Sequence, residues 1–117
     1  MTKLVMLAVA LLAGCGFKVG LVHQPPAPTT PGEAASVTVY RPESLIGFPV
    51  PMVFWIDRVE TYGLWGGQSY SFRLDPGAYV FGYYLGFNEC SRLMRFASAT
   101  NYLVTLNPWC SIRTERR

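Results

Sequence analysis

Apolar and polar residues alternate through most of the chain beyond residue 35, and glycine or proline separates the alternating runs. Alternation with a period of two places successive side chains on opposite faces of a strand. In the clearest example, Ser69–Leu74, the side chains of Tyr70, Phe72 and Leu74 share one face. The segments predicted as strands on this basis are Ser36–Arg41, Met52–Asp57, Val59–Trp65, Ser69–Leu74, Ala78–Phe87, Arg92–Ser98 and Tyr102–Asn107.

The spacing of these segments predicts an all-β domain. Short strands that recur roughly every eight to twelve residues, with Gly and Pro between them, are typical of sandwiches and barrels. The run Asp75-Pro76-Gly77 predicts a turn, because Pro presets φ and Gly tolerates positive φ. We therefore expect a small antiparallel β-sandwich of about seven strands, with a loop over Pro42–Pro51. The inward face of the longest predicted strand carries Tyr79, Phe81, Tyr83, Leu85 and Phe87.

The start of the chain has a different pattern. Lys3 precedes the apolar run Leu4–Ala13, and small residues end that run. A helix of about ten residues rises about 15 Å, half of a bilayer core, so the run is too short to span a membrane. A positive start followed by a short apolar run and small residues is typical of a secretory signal peptide.

The four residues Leu12-Ala13-Gly14-Cys15 resemble the lipobox of bacterial lipoproteins. The resemblance implies that a diacylglycerol is attached to the Cys15 sulfur and that the peptide is cut between Gly14 and Cys15. Two or more acyl chains anchor a protein stably to a membrane. In the Gram-negative lipoproteins that this motif resembles, Asp after the lipidated Cys retains the protein in the inner membrane, so Gly16 implies the periplasmic side of the outer membrane. The inner membrane and the cell surface are the alternatives.

The chain is expected to divide into a signal peptide over 1–14, a lipidated cysteine with a Pro-rich linker over 15–35, the sandwich over 36–113 and a basic tail over 114–117. The prolines of the linker favour polyproline II, so its last twelve residues or so would extend roughly 37 Å as a spacer. His23, the single histidine of the chain, lies in this linker. It has no Cys, Asp or Glu neighbour, so neither metal binding nor catalysis is expected of it.

Cys90 and Cys110 are expected to form a disulfide. If the last two predicted strands form a hairpin centred on Thr100, the two cysteines lie equally far from the turn and face each other. An oxidising envelope permits the bond, and a domain of this size needs one. Closing a loop of about 21 residues stabilises the fold by roughly 3 kcal/mol.

A series of motifs in residues 36–106 resembles a family of small exported β-sandwich lipoproteins and, more distantly, transthyretin-like and PEGA-type domains. The motifs are Val37-x-Val39-Tyr40-Arg41, Phe54-x-Ile56-Asp57, Gly63-Leu64, Gly67-x-x-Tyr70, Leu74-x-Pro76-Gly77-x-Tyr79 and Tyr102-x-Val104. The resemblance implies a fold and no particular activity. The chain departs from it at Arg58, where the family prefers Gly. Because Arg enters a left-handed conformation only at a cost, this turn is expected to be longer or of another type.

The sequence does not predict an enzyme. Its domain serines have no histidine partner, and the nearest carboxylate pair, Asp57 and Glu60, lies across a turn. With Cys15 assigned to lipid and the other cysteines to each other, suitable metal ligands are lacking. The formal net charge is +3 and the arginines are scattered, which argues against nucleic-acid binding. We expect a non-enzymatic protein without cofactor or metal.

The aromatic residues exceed what one face of a small sandwich can hold. Tyr62, Trp65, Tyr84 and the loop residue Phe48 are the candidate binding surface. The other interpretation is that these side chains fill the core and shield its ends. The favoured hypothesis is a membrane-anchored binding or assembly module for another envelope protein. The alternatives are a carbohydrate- or peptidoglycan-binding module and an inhibitor of a cell-wall hydrolase.

Overall fold

The structure is a computed structural model, and it describes residues 18–46 and 49–117. Across these residues the chain forms nine strands and a short 3-10 turn over Pro31–Glu33. The strands are β1 (Gly20–Leu21), β2 (Ala35–Tyr40), β3 (Met52–Ile56), β4 (Val59–Leu64), β5 (Ser69–Leu74), β6 (Gly77–Leu85), β7 (Asn88–Phe96), β8 (Asn101–Asn107) and β9 (Ser111–Arg116). The seven predicted strands correspond to β2–β8, and the predicted all-β sandwich is confirmed.

Two sheets form the layers of the sandwich. The first has the strand order β1-β4-β3-β6-β7, and the second has the order β5-β2-β8-β9. Nearly all neighbours are antiparallel, but β2 and β8 run parallel, with Val37 opposite Tyr102 and Val39 opposite Val104. The second sheet is therefore mixed, whereas the alternation of the sequence predicts an antiparallel one.

The core lies between the sheets and is built from the inward positions of the alternating runs. Val37, Val39 and Leu74 are buried as predicted. Phe54 and Phe81 meet edge to face at its centre, with 5.1 Å between ring centroids. Such aromatic pairs contribute about 0.5–1.5 kcal/mol beyond the area they bury.

The prediction that Phe87 lies on the inward face of β6 is wrong. The strand ends at Leu85, which pairs with Asn88, and the two residues between them form the turn into β7. Gly86 has φ +60° and precedes Phe87, as in a type II′ hairpin turn. The Phe87 side chain is fully exposed at the tip of this hairpin.

The disulfide between Cys90 and Cys110 is present, with 5.3 Å between its Cα atoms, but the hairpin used to predict it is not. Strand β7 pairs with β6 in the first sheet, while β8 pairs with β2 and β9 in the second. The turn around Thr100 therefore carries the chain from one sheet to the other. Cys90 lies on β7 and Cys110 in the β8–β9 turn, so the bond joins the two sheets.

The Pro-rich segment is not a spacer. Gly20 and Leu21 pair with β4 as strand β1, and the backbone N–H groups of Val22 and His23 both donate to the Thr61 carbonyl oxygen. The chain then crosses to the edge of the second sheet. There the N–H and hydroxyl of Thr29 each donate to the Asp75 carboxylate at 2.9 Å. Residues 22–34, called here the crossing segment, thus lie against the sandwich.

Two further predictions need correction. The predicted tail over 114–117 belongs largely to the sheet, because β9 continues to Arg116, which is opposite Tyr102. The β3–β4 turn is a tight two-residue turn despite Arg58. Asp57 and Arg58 both have positive φ, +48° and +68°, as in a type I′ turn.

Candidate functional site

One end of the sandwich gathers the features of a candidate site. Val53 lies opposite Tyr84, so the start of β3 and the end of β6 are at the same end of the first sheet. The disulfide brings the β8–β9 turn to that end as well. Four connections meet there, and together they are called the loop end. They are the described loop residues 41–46 and 49–51 and the turns over 65–68, 86–87 and 108–110.

A cavity of about 580 Å³ opens at the loop end. Its volume lies within the range of about 300–1,000 Å³ that is usual for small-ligand sites. Most of the lining surface is apolar, with Arg41 as its basic group. The lining residues are Arg41, Glu43, Ser44, Leu45, Val50, Trp65 and Gly66.

The Arg41 side chain is 3% exposed. Its Nη1 atom donates to the carbonyl oxygens of Leu64 at 2.7 Å and Val50 at 2.9 Å. The Arg41 guanidinium forms no ion pair with any described residue. The ion pair present among the described residues joins Lys18 to Glu60. Burial lowers the pKa of the Arg41 guanidinium, an effect that the neighbouring Tyr83 partly opposes. The cation is therefore held by neutral acceptors at the wall of a cavity that Glu43 also lines.

The backbone around Arg41 fixes the β4–β5 turn beside it. The Arg41 N–H donates to the Gln68 carbonyl at 3.0 Å, and the Arg41 carbonyl accepts from Gly67 at 2.7 Å. Gln68 also closes the turn through its N–H to the Trp65 carbonyl, and Gly67 has φ +82°, which a type II turn requires at this position. Trp65 is thereby held at the wall of the cavity.

Tyr83, on β6 of the first sheet, is hydrogen-bonded to the second sheet at the loop end. Its ring is fully buried, and its hydroxyl donates to the Asn107 carbonyl at 2.5 Å and accepts from the Cys110 N–H at 3.0 Å. Burial raises the pKa of this hydroxyl, while the Cys110 hydrogen bond and Arg41 lower it. Together with the disulfide, these bonds hold the turns of the loop end in one arrangement.

The rim of the loop end carries exposed apolar side chains. Leu45 is 91% exposed, Trp109 is 74% exposed, and Phe87 is fully exposed, with Ile46 beside Leu45. Large exposed apolar residues grouped at one end of a small domain are typical of a contact surface. This grouping is not evident from the sequence, because the residues lie on three separate connections.

The structure does not bring the predicted binding surface together. Trp65 lines the cavity, but Tyr62 is half-buried between the sheets and stacks on Tyr70 at 4.2 Å. Tyr84 lies on the outer face of the first sheet, 6.3 Å from the ring of Trp55. Phe48 lies outside the described residues, as do Gly14 and Cys15.

Arg41 is the site residue that the sequence analysis missed, although a signal for it exists. It continues the period-two alternation of Val37 and Val39, so its side chain is expected on the same inward face of the strand as theirs. A charged residue at an inward position is rare unless it is paired or functional. Elsewhere in the described part of the chain, no three His, Cys, Asp or Glu side chains are grouped to hold a metal ion. Over the same residues, no helix is long and apolar enough to cross a membrane.

Neither a protein-family model nor a curated protein matches the sequence. Among solved structures, the chain is similar to the N-terminal domain of AlgF from P. aeruginosa, with a TM-score of 0.55 and 14% sequence identity. The match covers 76% of this chain and 99% of that domain. At this identity the likeness shows a shared small β-fold, and it says nothing about a shared ligand or partner.

Proposed function

We propose that this protein is an exported lipoprotein, anchored through Cys15 to the periplasmic side of the outer membrane, that acts as a non-enzymatic binding module for another envelope protein. The observation that carries the proposal is the loop-end cavity, where a buried guanidinium without a carboxylate partner among the described residues stands beside exposed apolar side chains. The resemblance of Leu12-Ala13-Gly14-Cys15 to a lipobox supports export and membrane anchoring.

The chemistry of the cavity supports a protein partner. An apolar side chain of the partner can enter beside Leu45, Val50 and Trp65, while one of its carbonyl or carboxylate oxygens accepts from Arg41. Aromatic and arginine residues are enriched where binding energy concentrates in protein interfaces. The carbohydrate alternative depends on a flat aromatic platform, and Tyr62, Trp65 and Tyr84 lie in three different places.

Site-specific photo-crosslinking in living cells tests the proposal. The full lipidated chain carries a photo-reactive phenylalanine at Leu45, on the rim of the cavity. The matched control carries it at Leu93, an exposed leucine on β7 away from the loop end. We expect a defined envelope protein to crosslink from Leu45 and not from Leu93, and the signal to disappear in the Cys15→Ser variant.

Identical crosslinking patterns from Leu45 and Leu93 would contradict the proposal. The same holds if Leu45 crosslinks to no protein in cells whose membranes contain the lipidated chain. Retention of the purified protein on peptidoglycan sacculi would instead support the carbohydrate alternative.

A further inference from the structure

Strands β7 and β9 lie side by side where the two sheets meet, on the side of the sandwich away from the crossing segment. Each is the last strand of its own sheet. Cys90 is bonded to Cys110, directly before β9, and the Arg92 Nη1 donates to the Ile112 carbonyl oxygen at 2.7 Å. Both contacts have a sequence separation of 20, so the two strands run in the same direction along this junction, called here the β7–β9 seam.

A cavity of about 350 Å³ opens at the β7–β9 seam, and most of its lining surface is polar. Its lining residues are Ser91, Arg92, Cys110, Ser111, Ile112 and Arg113. Among these described residues there is no carboxylate, whereas Glu43 lines the loop-end cavity. Two arginines and two serines therefore line one small volume.

The side chains of this cavity have unused hydrogen-bond donors. Arg92 uses its Nη1 for the Ile112 carbonyl oxygen, which holds the guanidinium at the seam and leaves its other N–H groups for a ligand. Within the described part of the chain, the Arg113 guanidinium and the hydroxyls of Ser91 and Ser111 have no hydrogen-bond partner. The planar fork of an arginine fits the oxygens of an anionic group.

The two strands of the seam also hold the excess positive charge of the domain. Strands β7 and β9 carry four arginines and two glutamates. The other described residues carry five basic and five acidic side chains, which balance. Charge of one sign that is concentrated on one side of a protein attracts a ligand of the opposite sign.

We propose that the β7–β9 seam binds a phosphate monoester, whose oxygens accept hydrogen bonds from Arg92, Arg113 and the two serine hydroxyls. Near neutral pH such a group carries a charge of about −1.5 to −2 and three strong acceptor oxygens, which match two guanidiniums better than a carboxylate does. The site shares no lining residue with the loop-end cavity. It depends neither on the lipidation of Cys15 nor on the protein partner of the proposed function.

Titration with inorganic phosphate, followed by NMR, tests the proposal. The isotope-labelled protein, purified from bacterial cells in a maltoside detergent, is titrated at neutral pH while chloride keeps the ionic strength constant. We expect saturable shifts of the backbone amide signals of Ser91, Arg92, Ser111 and Arg113, which line the cavity. Signals from the loop end should not change.

Two arginine variants distinguish a defined site from general attraction by charge. Arg113→Gln removes a cavity-lining guanidinium that holds no described residue in place, so the fold should be retained. Because hydrogen bonds to charged groups are stronger than most neutral ones, its phosphate affinity should fall about tenfold. The matched control, Arg95→Gln, removes an exposed arginine of β7 that does not line the cavity, and its affinity should stay within about twofold of the wild type.

The same titration in micles of the detergent with phosphatidic acid added tests a lipid headgroup as the source of the phosphate. A saturable response that is lost in Arg113→Gln and kept in Arg95→Gln supports the site, and the ligand that gives it identifies the source. If neither ligand gives a saturable response, or if both variants weaken binding equally, the proposal is overturned. The proposed anchor and protein partner would be unaffected by that result.

Discussion

Within the described part of the chain, the guanidinium of Arg41 is oriented by two carbonyl oxygens and not by a carboxylate. Removing a charge from water is costly unless it is hydrogen-bonded, and the two carbonyl oxygens offset part of that cost. Hydrogen bonds to charged groups contribute about 1.5–3 kcal/mol, more than most neutral ones. This is the physical reason for proposing that an oxygen of the protein partner accepts a hydrogen bond from Arg41, with an apolar side chain of the partner against Trp65.

At Arg58 the backbone conformation destabilises the fold, and no contact of its side chain with a described residue offsets that effect. It adopts φ +68° in the β3–β4 turn. For a residue with a Cβ atom, this left-handed conformation costs about 1 kcal/mol or more. We expect Arg58→Gly to raise the free energy of unfolding by about 0.5–1 kcal/mol, measured by urea denaturation.

The control for that substitution is Arg95→Gly, which removes an exposed arginine from within strand β7. There glycine weakens the strand, so the stability should fall. If Arg58→Gly lowered the stability as much as Arg95→Gly does, the type I′ assignment of the turn would be wrong.

At the scale of elements, the crossing segment depends on one carboxylate. The hydroxyl of Thr29, followed by the N–H groups of Thr29 and Thr30, lowers the pKa of Asp75, and desolvation opposes them. A lowered pKa in the folded state means that the ionised carboxylate stabilises the fold at neutral pH. That contribution begins to decrease as the pH falls below about 4, the ordinary range of an aspartate, and is lost as the pH falls through the lowered pKa of Asp75 in the folded state.

We therefore expect the crossing segment to open in acid before the sandwich unfolds. Hydrogen exchange followed by mass spectrometry should show faster exchange over residues 22–34 at pH 3 than at pH 6, after correction for the intrinsic rate. Asp75→Asn should give the faster exchange already at pH 6. Equal protection of this segment in both proteins at both pH values would contradict the role of Asp75.

The disulfide also acts between elements, because it covalently joins the two sheets. Replacing both Cys90 and Cys110 with Ala should lower the free energy of unfolding by about 3 kcal/mol, measured in urea. The reduced wild-type protein should behave like the double variant. An unchanged unfolding midpoint would show that the sheets are held sufficiently by the core and by the hydroxyl of Tyr83.

The sequence predicts the strands well and their neighbours poorly, for a physical reason. A period of two shows which side chains face inward, as at Val37 and Val39, but any strand with the same period satisfies it. The turn over 97–100, where Ala99 has φ +50°, connects two sheets and not a hairpin. The pairing of Cys90 with Cys110 was therefore predicted correctly from an incorrect topology.

The candidate site is harder to predict from the sequence, because its residues lie on loops and turns that are far apart along the chain. Arg41, Trp65, Phe87 and Trp109 come to the same end of the sandwich only once both sheets are paired and joined by the disulfide. The crossing segment was missed for a related reason. Its prolines favour an extended backbone in either case, and only the contacts with β4 and Asp75 distinguish a packed segment from a free spacer.

At the scale of the whole molecule, the proposed function combines a membrane anchor with a binding surface. The proposed anchor, Cys15, precedes the described part of the chain. The cavity and the exposed side chains of Leu45, Phe87 and Trp109 are at the loop end. The disulfide is suited to the oxidising compartment to which the proposed export would deliver the domain.

The central claim is that the mature protein begins at a lipid-bearing Cys15, and intact-mass and N-terminal peptide analysis of the protein purified from bacterial membranes tests it most directly. We expect a chain that starts at Cys15 and carries a diacylglyceryl group on its sulfur, and a Cys15→Ser variant that is neither cut at that site nor acylated. A mature chain that starts elsewhere, or an unmodified Cys15 thiol in a protein absent from the membrane fraction, would contradict the account.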